Sequence, residues 1–103
     1  MTIPQKFKIA NNWITVELVD KLDSNNYGTY NDAKQIITIA KSVVIDNEVV
    51  ELTKEQLLNT FWHEYIHAMQ FYFDNSTSEA QAQSYSNFIC ELFDTRIGQF
   101  ELE

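Results

Sequence analysis

Residues 53–73 read TKEQLLNTFWHEYIHAMQFYF, and this stretch decides how the rest of the chain is organised. Thr53 followed three residues later by Gln56 is a capping-box pair, the signature of a helix N-terminus. The spacing predicts a helix over residues 54–73. Stepping about 100° per residue from His63, His67 falls near 40°, and Gln56, Asn59, Thr60 and Gln70 fall within about 60°. Leu58, Trp62, Tyr65, Met69 and Tyr72 form the opposite, core-facing side. The histidines therefore lie on a polar stripe flanked by Leu57 and Phe71. Such a helix is expected to be buried on most sides, with one polar strip opening into a cleft.

On that stripe stands His63-Glu64-Tyr65-Ile66-His67, the pattern H-E-x-x-H. Residues four apart on a helix share a face, so two imidazoles can hold one ion from the same side. Zinc is the ion this donor set suits. Glu64 is rotated by about 100° from His63 and can reach a water on the ion without being a ligand, as a general base. The chain contains only two histidines, and both are in this pattern.

A catalytic zinc takes a third protein ligand and keeps one open position. Residues 74–78 (Asp-Asn-Ser-Thr-Ser) read as a helix-breaking loop, followed by a second helix over 79–97 with Gly98 as its stop. That helix can fold back beside the first, with Ala82, Ser86 and Cys90 as a small-residue side allowing close approach. Glu79 then becomes the favoured third ligand and Asp74 its rival. Ser76-Thr77-Ser78-Glu79 is also a capping-box pattern, which would give Glu79 a purely structural task. Cys90 lies about 16 Å further along the helix than Glu79 and reads as a small core residue. Tyr72 and Tyr85 are candidates for stabilising an oxyanion, although core packing accounts for both.

Upstream of the helices, the chain is β-like. Trp13, Thr15 and Glu17 alternate with Ile14, Val16 and Leu18, and Phe7 and Ile9 begin the same pattern. Asn11-Asn12 suggests a hairpin turn. Residues 23–26 read as a polar loop, 27–30 as a short strand, and 35–40 as a clear strand. Asp46-Asn47 is a possible turn between two short apolar pieces. The expected fold class is α+β: a small antiparallel β-meander followed by two packed helices that carry the H-E-x-x-H site.

Composition narrows the function classes. The 103 residues suffice for one domain. Fifteen Asp and Glu against seven Lys and Arg give a net charge of −8, which argues against nucleic-acid and anionic-membrane partners. The acidic residues are scattered rather than blocked, which disfavours a nucleic-acid mimic. One cysteine excludes an internal disulfide. No apolar run suits a signal peptide or membrane span, so a cytoplasmic location is expected.

A helix bearing His63-Glu64-x-x-His67, a short loop, and a helix opening with Glu79-Ala80 together resemble the minimal gluzincins. These are small zinc peptidase-like domains, often phage- or prophage-encoded, related to the ImmA/IrrE metallopeptidases. The resemblance implies one zincin-like domain over residues 1–103, with a β-rich part at 3–41, a linker at 42–52, and helices at 53–73 and 79–97. It implies His63, His67 and Glu79 as zinc ligands and Glu64 as general base. Gln81 and Gln83 stand where more acidic residues would fit the family. An edge strand, 35–40 or 27–30, would take an extended protein or peptide substrate. The function implied is a zinc-dependent metallopeptidase, a hydrolase cleaving a peptide bond with a Glu-activated, metal-bound water. The alternative is a non-catalytic, phage-type protein-binding module on the same scaffold. Glu64→Gln separates the two, because only an enzyme needs the base.

Overall fold

A computed structural model describes residues 2–74 and 78–101, and for Phe73 and Asp74 the backbone alone. Six strands precede two helices: β1 (Lys6–Ile9), β2 (Asn12–Val19), β3 (Gly28–Asn31), β4 (Ile36–Ala40), β5 (Ser42–Ile45), β6 (Glu48–Glu51), α1 (Lys54–Asp74) and α2 (Glu79–Thr95). The class is α+β, as the patterning predicts.

The sheet is not an antiparallel meander. Its order is β1-β2-β4-β3, and β2 pairs with β4 in parallel, Thr15 opposite Ile36 through Val19 opposite Ala40. After β2 the chain runs past one strand position, forms β3, and returns to lay β4 into the gap. Composition explains the choice. β4 carries Ile36, Ile37, Ile39 and Ala40, and Ile37, Ile39 and Ala40 are fully buried. The most apolar strand takes the centre, where both its edges are paired. β3, with Gly28 and Thr29, is left at the edge.

Hairpin turns form where two left-handed residues are tolerated. Between β1 and β2 these are Ala10 (φ 49°) and Asn11 (φ 66°), one residue earlier than the Asn11-Asn12 expectation. Asn12 instead opens β2, opposite Ile9, and its side-chain amide donates to the Ala10 carbonyl (2.9 Å). Asp46 and Asn47 make the same kind of turn between β5 and β6, so the connecting segment 42–52 is built as a two-stranded hairpin.

One face of the sheet meets α1. Ile9, Ile14, Ile37 and Ile39 enclose Phe61 and Ala68, with Phe7, Val16, Tyr30, Leu57, Tyr65 and Tyr72 around them. The helix therefore faces the sheet along Phe61, Tyr65, Ala68 and Tyr72, at spacings of four, three and four. Met69, placed on the core side by the helical wheel, is 37% exposed. The wheel errs because α1 has two partners. The sheet covers one arc, and α2 covers another, where Trp62 stacks on Phe93 at 6.2 Å between centroids. On α2, only Ala82 and Ser86 are fully buried, which lets the two helices approach closely.

The second helix ends at Thr95, two residues before the expected Ile97. Arg96 caps it, and Gly98 takes a left-handed φ of 69° just beyond. Among the described residues, no helix is long and apolar enough to cross a membrane.

Candidate metal centre

The capping box sets the start of α1. Gln56 N–H donates to Thr53 Oγ1 (3.2 Å), and Thr53 N–H donates to Gln56 Oε1 (2.8 Å). From there the helix carries His63 and His67 to one face, one turn apart, with their Nε2 atoms 3.2 Å from each other. α2 returns antiparallel and delivers Glu79 to the same point. Its Oε1 lies 2.9 Å from His67 Nε2 and its Oε2 lies 3.0 Å from His63 Nε2. His63, His67 and Glu79 thus form a group that could hold a metal ion.

Glu79 is free for this role because Ser78 takes over the capping. Ser78 has extended backbone angles, and its hydroxyl accepts from Gln81 N–H (3.2 Å). The expected cap at Ser76, and the loop residues 75–77, lie outside the described residues, as does the side chain of the rival ligand Asp74. Cys90 is half-buried further along α2 and, among the described residues, belongs to no such cluster. Burial, and then Asp94, push its thiol above the usual range.

The donor chemistry fits a cation. His63 Nδ1 faces Gln83 Oε1 at 3.1 Å, and His67 Nδ1 faces Gln70 Oε1 at 3.2 Å. A backbone donor fixes the Gln70 amide, and the amide network shared with Asn59 and Asn87 goes with the Gln83 orientation. Gln70 Oε1 also accepts from the Ser78 backbone N–H (3.3 Å), which can only donate. Gln83 Nε2 donates to Asn87 Oδ1 (2.9 Å) and Asn59 Oδ1 (3.3 Å). An Oε1 opposite each Nδ1 requires the hydrogen to be on Nδ1, so that in the neutral form of each ring the lone pair is on Nε2. Two lone pairs and two carboxylate oxygens then converge, an arrangement that a cation satisfies. The spacing agrees as well. Ligands at 2.0–2.1 Å around a tetrahedral zinc stand about 3.3 Å apart, close to the separations here.

Glu64 lies beside this group in a cleft of about 920 Å³, walled by β3 on one side and by α1 and the start of α2 on the other. It is 6% exposed. Burial raises its carboxyl pKa, His67 and His63 pull it back down, and Glu79 adds to the rise. The net direction is upward. Among the described residues none donates a hydrogen bond to it.

Gly28 sets how close the strand comes. A Cβ there would stand 2.7 Å from Thr60 Cγ2 and 3.2 Å from Glu64 Cγ, so only glycine lets β3 lie directly on the motif helix. Of the two candidate edge strands, 35–40 is central and 27–30 is the edge. Ala40 N–H donates to the Tyr27 carbonyl (2.8 Å). By antiparallel alternation, Tyr27 and Thr29 turn their backbone groups towards β4, and Gly28 and Tyr30 turn theirs outward.

Neither proposed oxyanion residue lines the cleft. Tyr72 packs on the core, and its hydroxyl accepts from Gln35 Nε2 (2.9 Å). Tyr85 is 42% exposed on α2. The cleft's own aromatic residues are Tyr27, Tyr30 and Phe71. The Tyr30 hydroxyl is buried beside Tyr72 without meeting hydrogen-bond geometry, and burial first, then Tyr72, hold its pKa well above the usual phenol range.

Sequence reading missed the roles of Gly28, Gln83 and Gln70. Gln70 was visible on the polar stripe, three residues after His67. Gln83 was visible one turn after Glu79, on the same face of α2. Compared with known proteins, the chain matches no family model, no curated protein and no solved structure.

Proposed function

We propose that this chain is a zinc-dependent metallopeptidase. The observation that carries the reading is Glu64, a buried carboxylate to which none of the described residues donates a hydrogen bond, in the same cleft as the converging His63, His67 and Glu79. A group that only held a structural ion would gain nothing from burying a second carboxylate beside it. Zinc, held by His63, His67 and Glu79, would supply Lewis acidity towards a carbonyl and an attacking water.

The rest of the chemistry belongs to the chain's own residues. Glu64 takes a proton from water onto its carboxylate and later returns it to the leaving amine. Its raised proton affinity suits that exchange. The outward backbone groups of Gly28 and Tyr30 offer pairing to an extended peptide, which would add to the sheet beside β3. Because Gly28 touches Glu64, a peptide bond paired there would lie next to the base. Gln83 and Gln70 keep the imidazole rings oriented.

The test is cleavage of a mixed peptide library by zinc-loaded protein, with Glu64→Gln as the blank. Cleavage by the wild type, and its loss in a variant that still binds one zinc, is the expected result. Zinc binding without cleavage in either protein would overturn the peptidase reading and leave a binding module.

A further inference from the structure

The third ligand has a weakness. The Glu79 side chain is 81% exposed, and among the described residues only the two histidines touch its carboxylate. A long, solvated side chain loses rotamer freedom when it is held in one geometry. Something other than its own packing must bring it to the histidines.

Gln70 is placed to do so. It is 6% exposed and lies on α1, three residues after His67. Its Oε1 accepts from both His67 Nδ1–H (3.2 Å) and Ser78 N–H (3.3 Å). Its Nε2 donates to Gln81 Oε1 (3.1 Å). Ser78 and Gln81 flank Glu79 in sequence and are themselves joined by the N-cap bond. A single buried amide thus grips the chain on both sides of the third ligand while orienting the second.

We propose that Gln70 is a positioning residue of the metal centre: its amide fixes His67 and the first turn of α2 together, and so holds Glu79 against the histidine pair. This rests on the reading that His63, His67 and Glu79 bind a metal. Gln70 itself touches neither ion nor substrate. Removing such a partner typically costs about 10- to 100-fold in metal affinity.

The test uses the full chain, stripped of metal and titrated with zinc against a chelator of known affinity. Proton NMR of the cobalt-loaded protein in water is recorded alongside, because a ligating imidazole with a protected Nδ1–H gives a paramagnetically shifted, exchangeable signal. Wild type is expected to show two such signals. Gln70→Met keeps the side chain's length and removes both polar ends. It is expected to bind zinc about 10- to 100-fold more weakly and to lose the His67 signal to solvent exchange. Gln70→Glu retains an acceptor for His67 and Ser78, and keeps the Gln81 contact once the Gln81 amide turns over to donate to the second carboxylate oxygen. It is expected to keep both signals and stay within about threefold of wild type. If Gln70→Met does not fold, Gln70→Asn, one methylene too short to reach both partners, takes its place with the same expected loss. Wild-type affinity with both signals in the Met or Asn variant overturns the proposal. So does a Gln70→Glu protein as weak as Gln70→Met. Wild type that binds neither zinc nor cobalt fails before any variant is compared, which removes the metal reading itself and this proposal with it.

Discussion

Gly28→Ala puts a number on how tightly the edge strand and the motif helix are joined. The new methyl would stand 2.7 Å from Thr60 Cγ2, 3.1 Å from the Thr38 carbonyl oxygen and 3.2 Å from Glu64 Cγ. Carbon atoms in contact prefer about 3.5–4.0 Å, so strand and helix must part by nearly an ångström or Thr60 must turn. Turning is resisted, because Thr60 is buried and its hydroxyl donates to the Gln56 carbonyl at 2.8 Å. Overpacking of this kind costs about 1–3 kcal/mol, and replacing glycine returns about 0.4–1 kcal/mol through the unfolded chain. The expected net loss is about 1–2 kcal/mol. Thr60→Ser removes the offending methyl, keeps the hydroxyl, and alone costs about 0.5–1.5 kcal/mol. In the double variant the alanine methyl fills the vacated space, so the two losses should fall short of additive by about 1 kcal/mol. Urea unfolding of the four metal-free proteins measures the cycle. Additive losses, or a Gly28→Ala protein as stable as wild type, would refute the close approach.

Three further outcomes follow from local geometry. Thr53→Ala removes half of the capping box and should lower stability by about 1 kcal/mol in urea unfolding, with no change in zinc stoichiometry. Ala10 holds a left-handed φ of 49°, so Ala10→Asn should raise the melting temperature by a few degrees, from about 0.5–1 kcal/mol of relieved strain. An unchanged melting temperature would show the turn to be unstrained. The Cys90 thiol is pushed above its ordinary value of 9.0, so at pH 8 it carries less thiolate than a free cysteine. Iodoacetamide should alkylate it more slowly than a model thiol, with a rate still climbing above pH 9. Since the folded state holds the proton more tightly than the unfolded state, stability should fall as pH rises from 9.0 towards the raised value.

The helices were legible because their signals are local. The Thr53–Gln56 pair and the His63–His67 spacing each depend on contacts within a turn of helix, and both hold in the structure. The place of Glu79 beside the histidines was legible through chemistry: a metal-binding histidine pair would need a third donor, and a short return brings the start of the next helix alongside. Strand order was not legible. The alternation in β2 says which side of each residue is buried and nothing about which strand lies beside it. Only the concentration of isoleucine in β4 hinted that this strand, rather than β3, takes the centre. Met69 was misplaced because a single wheel assumes one apolar partner, whereas α1 has two. The glutamines were hardest to read. Gln70 meets His67 at helical spacing, but their other contacts run across 8, 11 and 20 residues, which no periodicity encodes.

The central claim is that His63, His67 and Glu79 hold one metal ion, and metal content tests it most directly. Untagged protein, purified without added metal, is analysed by mass spectrometry beside His67→Ala, Glu79→Ala and Glu64→Gln. The account expects near-stoichiometric zinc in wild type and in Glu64→Gln, its loss in His67→Ala, and much weaker retention in Glu79→Ala. Wild type that carries no metal and takes up none from added zinc would contradict it, as would zinc that survives in His67→Ala.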